Sequence, residues 1–173
     1  MLRHNAWDVL SLVALAAHLA ATCEGTEGSL AAARAAEYAG DLHAAVAHFE
    51  AALESGLTRG ERLEAMEHAA RCARKLGRLD DAAKWWTAVL SEPRSRLLTP
   101  YVELAKLAEH HDRNRAAALG YIDVALDLVR RGLARPGLPN SETGLAALEH
   151  RRARLARGAA GSVASAVSNV SAP

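Results

Sequence analysis

The sequence predicts an all-α protein: an array of helical hairpins, preceded by one helix and closed by another. Half of its 173 residues are apolar, yet only 4% are aromatic. Alanine is the commonest apolar residue, and it favours helix more strongly than any other residue. One helical pattern recurs three times along the chain, and no segment has the two-residue alternation of a half-buried β-strand.

The first element, residues 1–23, has the pattern of an amphipathic helix. Asn5 suits the N-cap position, and Asp8 falls at N3, where a carboxylate favours the helix N-terminus. The apolar stripe that follows has helical spacing and consists of Leu12, Leu15 and Leu19.

A secretion or lipid-anchoring signal is the alternative for this segment. Residues 20–23 resemble a lipoprotein cleavage box that ends at Cys23. However, Asp8 stands at the entrance of the apolar run, and residues 9–17 are fewer than the roughly 20 that a membrane span needs. Cys23 and Cys72 have no metal-like spacing, so we expect both to be reduced thiols in a cytoplasmic protein. Because the apolar run is too short to span a membrane, we also expect no membrane partner.

Residues 29–157 form a repeat domain in our prediction. If Gly40, Gly77 and Arg113 are the turns of three hairpins, the repeats are offset by 37 and 36 residues. Such agreement is typical of stacked hairpins, in which small residues let paired helices approach and a large residue fills the gap to the next hairpin. The matching positions, counted in residues from the turn, are these: eight residues before it, Ala32, Ala69 and Ala105; five residues after it, Ala45, Ala82 and Ala118; nine residues after it, Phe49, Trp86 and Ile122; and thirteen residues after it, Leu53, Leu90 and Leu126.

The ends of the helices carry their own signals. Gly40 and Gly77 suit the left-handed conformation that ends many helices, whereas the third turn has no glycine. Asp41 is placed to cap the helix after the first turn. Thr99 and Pro100 predict the N-cap and the first residue of the helix that opens the third hairpin.

The array closes with one more helix and a tail. Residues 132–142 contain two glycines and two prolines, which predicts a loop. Ser141 then opens a last helix that ends in a basic run. From residue 158 onward the chain lacks large apolar residues and charges, so we expect residues 158–173 to be disordered.

Two family resemblances rest on these residues. The order of small residue, turn, small residue, aromatic residue and small residue resembles the tetratricopeptide repeat, although these repeats are two or three residues longer than the usual 34. In a bacterial family of ribonuclease-H-like exonucleases with a tetratricopeptide tail, the last nuclease helix begins with a motif similar to HN-x-x-D-V-x-S-L. Residues 4–12 match this motif, and residues 99–126 and 147–157 resemble the tail of that family.

The second resemblance implies roles for two residues of the first segment. Asp8 would be the final carboxylate of the nuclease metal site, which holds magnesium or manganese, and His4 would orient the attacking water. Two divalent ions need several converging carboxylates, and the rest of this chain offers no strands to carry them. We therefore expect this chain alone to bind no cofactor and to cleave nothing. Because Met1 falls just before the motif, we expect a late-started frame, a broken gene or a longer natural chain.

Our prediction is a non-catalytic scaffold whose repeat surface binds a protein or peptide. The alternative is a fragment of a metal-dependent 3′–5′ exonuclease, with His4 and Asp8 as remnants of its catalytic site and Asp8 as a metal ligand. Nucleic acid would then be a partner only beside a nuclease domain. A net charge of +1, from 21 basic and 20 acidic residues, argues against a dedicated nucleic-acid surface.

Two groups of histidines have a weak metal interpretation. His110, His111 and Asp112 are adjacent in sequence, so they do not share one face of a helix, and no further ligand has a matching spacing. His43 and His48 are weaker still. We expect no metal site at either group.

Two further groups have both a structural and a binding interpretation. Trp86 occupies a repeat core position, while its neighbour Trp85 points elsewhere, with packing favoured over contact with a partner. The basic run near the end of the last helix would complement the helix dipole, or contact phosphates beside a nuclease domain, and the first interpretation is favoured. This run consists of Arg151, Arg152, Arg154 and Arg157.

Overall fold

The computed structural model describes residues 30–93, 95–134 and 141–170. Within these ranges the chain forms seven α-helices and one short 3₁₀ helix, with no β-strand. Inside each compact unit, consecutive helices pack against one another, which confirms the predicted all-α helical-hairpin fold. None of these helices has the length and apolar character needed to cross a membrane. The helix predicted within residues 1–23 lies outside the described residues.

The chain divides into two compact units between Leu76 and Gly77, so the predicted domain 29–157 spans both. The first unit contains α1 (Leu30–Ala39), α2 (Leu42–Glu54) and α3 (Arg59–Lys75). α1 packs along α2, α2 packs along α3, and α1 also reaches α3. The first and third helices therefore lie next to each other, and both rest on α2.

The second unit contains four α-helices and the 3₁₀ helix. They are α4 (Leu79–Ser91), α5 (Leu98–His110), α6 (Arg115–Arg130), the 3₁₀ helix (Ser141–Thr143) and α7 (Leu145–Val170). Each α-helix packs against the next, and the 3₁₀ helix contacts both α5 and α7. The largest residues of the core between α5, α6 and α7 are Leu98, Val102, Ile122, Leu126, Leu148 and Leu155.

All three predicted turn residues have a left-handed backbone conformation. The φ angle is +83° at Gly40, +76° at Gly77 and +54° at Arg113. A residue with a Cβ atom adopts this conformation at a cost of about 1 kcal/mol, whereas glycine does so freely. The third turn keeps the geometry of the other two even though its residue is poorly suited to it.

The repeat positions predicted to pair the helices are buried. The large residues nine positions after each turn, Phe49, Trp86 and Ile122, have no exposed surface. The alanines before and after each turn are buried as well, and the last position is buried at Leu126 but only partly at Leu53 and Leu90. The register inferred from the sequence is therefore the register of the folded chain.

Side-chain caps fix the starts of α2 and α3. Asp41 caps α2 as predicted, since its carboxylate accepts a hydrogen bond of 3.0 Å from the backbone N–H of Ala44. At α3 the sequence analysis missed a capping box, in which the side chains of Thr58 and Glu61 each accept a hydrogen bond from the other residue's backbone N–H.

The predicted start of α5 is wrong by two residues. The helix begins at Leu98, and its N-cap residue is Leu97 rather than Thr99. Leu98 is buried in the core of the second unit with Val102, one helical turn later, so its burial favours the earlier start. Pro100 still lies in the first turn, where its missing N–H costs nothing.

The last helix also differs from the prediction at both ends. Ser141 belongs to the 3₁₀ helix, and α7 begins at Leu145. Where we expected a disordered tail from residue 158, the helix continues to Val170. The segment has no proline after Pro139 until Pro173 and is rich in alanine, so its helix propensity outweighs its lack of large apolar residues.

Candidate functional site

His4 and Asp8, the two residues that the exonuclease resemblance implicates, lie outside the described residues. The metal and catalytic roles predicted for them therefore stay predictions. The described residues instead contain a polar cluster that the sequence analysis did not identify.

This cluster joins α1 to α3 and is called here the α1–α3 face. It comprises Arg34 and Glu37 on α1 and Glu64, His68 and Cys72 on α3. The three α3 residues recur every four positions, so one side of the helix presents all of them to α1. Arg34 and Glu64 form a partly exposed ion pair, while Glu37 and His68 lie deeper between the helices.

The imidazole of His68 lies at the centre of the α1–α3 face. Its Nδ1 is 2.5 Å from Oε2 of Glu37, and its Nε2 is 4.0 Å from Oε1 of Glu64. Because a carboxylate oxygen can only accept, the Nδ1–H donates to Glu37. Phe49 of α2 stacks beneath the ring with 5.6 Å between the centroids. One aromatic contact from below and one carboxylate from α1 thus hold the ring in place.

Cys72, a free thiol as predicted, is fully buried beside the same carboxylate. Burial, and after it the charge of Glu37, to which the thiol donates a hydrogen bond, together raise the pKa of the Cys72 thiol to about 11, although the Lys75 and Arg71 charges lower it. Since the thiolate is the reactive form, this environment makes Cys72 a poor nucleophile. The surroundings of Cys72 therefore disfavour covalent chemistry at this thiol.

Glu67, also on α3, is a second polar group that the sequence did not single out. Its side chain is only 4% exposed, and its Oε1 has no hydrogen-bond partner in the structure. Burial raises the pKa of the Glu67 carboxyl to about 7, although the nearby Arg71 guanidinium lowers it. The folded state therefore favours the neutral form of this acid up to neutral pH.

Three of the four arginines in the basic run have partners on neighbouring helices, which corrects the dipole interpretation. Arg154 forms a bidentate pair with Glu109 of α5, with 2.6 Å between Arg154 Nη2 and Glu109 Oε2. Arg152 lies 2.6 Å from Asp123 of α6. Because α7 continues to Val170, the run lies in mid-helix and faces no helix C-terminus.

Arg151 extends this network to the 3₁₀ helix. Its guanidinium lies 4.0 Å from Glu109 and 3.9 Å from Glu142, and Glu142 also pairs with Lys106 of α5. The hydrogen bond from Arg154 lowers the pKa of Glu109. These pairs attach α7 and the 3₁₀ helix to α5, so Arg151 and Arg154 help to hold the second unit together.

Two of the histidines and one of the tryptophans singled out in the sequence contact other side chains of the protein. Within the described ranges, no three His, Cys, Asp or Glu side chains converge on a possible metal position. His110 lies 3.5 Å from Glu109, and His111 lies 3.5 Å from Asp80 of α4. Trp86 is fully buried, as predicted, and Trp85 is half-buried with the Lys84 ammonium 6.0 Å from its ring centroid.

The comparisons add no family assignment. Neither the family models, nor the curated proteins, nor the solved structures contain a match to this chain.

Proposed function

We propose that this chain is a non-catalytic, tetratricopeptide-like scaffold for protein–protein interaction, and that the α1–α3 face binds a segment of the partner protein. The observation that carries the proposal is the pairing of α1 with α3 through charged side chains that remain accessible. The side chains of Arg34 and Glu64 are 50% and 38% exposed, respectively. The buried alanines at fixed distances from the turns support the tetratricopeptide resemblance.

The chemistry of this face suits recognition of a peptide that carries charge. An exposed ion pair contributes only about 0–1 kcal/mol, so a partner can exchange one of its own charges for Arg34 or Glu64 at little cost. The neighbouring His68 is held by Glu37 and Phe49, so the base of the face is ordered before a partner binds. Preorganisation of this kind reduces the entropy lost on binding. We place the protein in the cytoplasm, which the free Cys72 thiol supports.

A charge swap tests this proposal. A peptide display library would be panned on the purified chain, and an enriched peptide would be measured by isothermal titration calorimetry. The double variant Arg34→Glu/Glu64→Arg keeps opposite charges on the two helices but reverses their positions. We expect it to melt within a few degrees of the wild type and to bind the peptide at least about tenfold more weakly.

The matched control is Arg130→Glu/Glu149→Arg, which reverses an ion pair of similar exposure between α6 and α7. It should leave peptide binding unchanged. Failure to enrich any peptide, or equal loss of binding in both swaps, would contradict a binding role for the α1–α3 face.

The alternative proposal is that the chain is part of a metal-dependent 3′–5′ exonuclease. It is favoured by the match of residues 4–12 to the nuclease motif, which contains His4 and Asp8. The test is shortening of 5′-labelled single-stranded DNA by the purified chain with magnesium or manganese. Shortening that Asp8→Asn abolishes would support the enzyme, and intact DNA would favour the scaffold.

A further inference from the structure

The 3₁₀ helix of the second unit carries a carboxylate that contacts cations on two different α-helices. Oε2 of Glu142 pairs with the Lys106 ammonium of α5, and Oε1 of Glu142 lies 3.9 Å from the Arg151 guanidinium of α7. The 3₁₀ helix itself contacts both of these α-helices. The two cations, called here the Lys106–Arg151 site, therefore form a place for one carboxylate, and the chain fills it with its own.

Glu142 is the most accessible of the three acids in this network. Lys106 also lies 2.8 Å from Glu103, and Arg151 also lies 4.0 Å from Glu109. Both of these acids belong to α5, and their side chains are only 7% and 6% exposed, whereas the side chain of Glu142 is 42% exposed. Glu142 also stands on a helix of three residues, whose hydrogen bonds have poorer geometry than those of an α-helix. It is therefore the acid that an incoming carboxylate replaces with the least disturbance.

The charges of the network require an anion at the position of Glu142. Three cations face three carboxylates here: Lys106, Arg151 and Arg154 on one side, and Glu103, Glu109 and Glu142 on the other. Without Glu142, one positive charge would be in excess among partly buried side chains, which is unfavourable. Because ammonium and guanidinium groups can only donate hydrogen bonds, a second carboxylate restores the balance and an amide or a cation does not.

We propose that the Lys106–Arg151 site binds an acidic side chain of a partner protein, and that Glu142 is an internal competitor which the partner's carboxylate replaces. A tethered competitor has a high effective concentration, so a single free acid competes poorly. A segment with several adjacent acids is the partner chemistry that fits. The site uses none of the residues of the α1–α3 face, so it is a second binding site that does not depend on the proposed function.

Binding of an acidic peptide to variants of the full chain tests the proposal. The probe is a fluorescein-labelled hexaglutamate peptide with an amidated C-terminus, and binding is measured by fluorescence anisotropy. Glu142→Gln keeps the shape of the side chain but removes the competing charge, so it should bind the probe at least about tenfold more tightly than the wild type. Adding Arg151→Gln to this variant removes one of the two cations and should cancel the gain.

Glu149→Gln is the matched control, because it removes the same charge from α7 at an exposed glutamate whose partner is Arg130. It should bind the probe as weakly as the wild type does. Equal affinities of Glu142→Gln and Glu149→Gln would assign the binding to net charge and overturn the proposal. So would a labelled hexaglutamine peptide with a free C-terminus that binds Glu142→Gln as tightly as the probe does, since a chain end would then be the ligand.

Hydrogen exchange on the wild-type chain provides a readout that needs no variant. Saturating hexaglutamate should release the 3₁₀ helix from the Lys106–Arg151 site, so that amides in residues 141–145 exchange at least several-fold faster. Hexaglutamine should leave their exchange unchanged. If hexaglutamate also leaves it unchanged, Glu142 serves only to attach the 3₁₀ helix to α5 and α7, and the proposal is wrong.

Discussion

Arg113 adopts the left-handed backbone conformation that Gly77 adopts at the preceding turn, with φ angles of +54° and +76°. The two residues are 36 positions apart and occupy the same place in the repeat. The turn position therefore has this conformation with either residue, and arginine carries a strain that glycine does not.

Arg113→Gly should stabilise the protein by about 0.5–1 kcal/mol, because the cost of placing a Cβ in this region exceeds the entropy that glycine loses. Gly40→Ala should destabilise it by about 1–2 kcal/mol. Gly56→Ala is the control, since a Cβ has open space at both glycines but only Gly40 has a positive φ. Urea unfolding curves would measure all three, and equal effects at Gly40 and Gly56 would contradict the turn assignment.

Glu67 should make stability fall as pH rises. Its pKa is about 7 in the folded chain against a reference value of 4.5, so between these values the unfolded chain has released a proton that the folded chain keeps. The free energy of unfolding therefore falls by about 3 kcal/mol between low pH and a pH above 7. Glu67→Gln should remove this pH dependence and be more stable than the wild type at pH 8. Glu50→Gln, at an exposed glutamate, should follow the wild type at pH 5 and at pH 8.

Arg154→Ala should destabilise the second unit by about 1–2 kcal/mol, because it leaves the partly buried Glu109 without its bidentate partner. Arg157→Ala, at an exposed arginine one turn later on α7, should change the free energy of unfolding by less than about 0.5 kcal/mol. The effect of Arg154→Ala should shrink under acid, where the lowered pKa of Glu109 is reached and the carboxylate becomes neutral. Equal effects of the two substitutions would argue against a structural role for the basic run.

Cys72 should resist alkylation in the folded state. With its pKa raised from 9.0 to about 11, the thiolate fraction at pH 8 is about a hundredfold lower than in the unfolded chain. Iodoacetamide labelling followed by peptide mass spectrometry would separate Cys72 from Cys23. Glu37→Gln should accelerate labelling of Cys72, because it removes a negative charge beside the thiol. Equally rapid labelling in buffer and in urea would contradict the buried, protonated thiol.

The core of this fold could be predicted from the sequence because it depends on local spacing. Phe49, Trp86 and Ile122 recur at one distance from the turn, and a repeat of that kind fixes which side of each helix is buried. Even the turn at Arg113, which has no glycine, follows from its place in the repeat.

The contacts of the α1–α3 face could not be predicted in the same way. Glu37 and His68 are 31 residues apart, and their contact depends on how α1 and α3 lie against α2. The four-residue spacing of His68 and Cys72 was the available signal, but it does not identify the carboxylate between them. The pairing of Arg154 with Glu109 was missed for a related reason. The sequence predicted that α7 ends near residue 157, which would place Arg154 beside the helix C-terminus, whereas α7 continues to Val170.

Trp85 and Trp86 both lie in the second unit, so tryptophan fluorescence can report on the unfolding of that unit. The Trp85 ring is half-buried and the Trp86 ring is fully buried. Unfolding of this unit would expose both rings to water, which should shift tryptophan emission to the red. The substitution Trp7→Phe would remove the third tryptophan of the chain. Fluorescence then follows residues 77–173, whereas circular dichroism sums every helix, and any gap between the two melting curves would measure how independently the two units unfold.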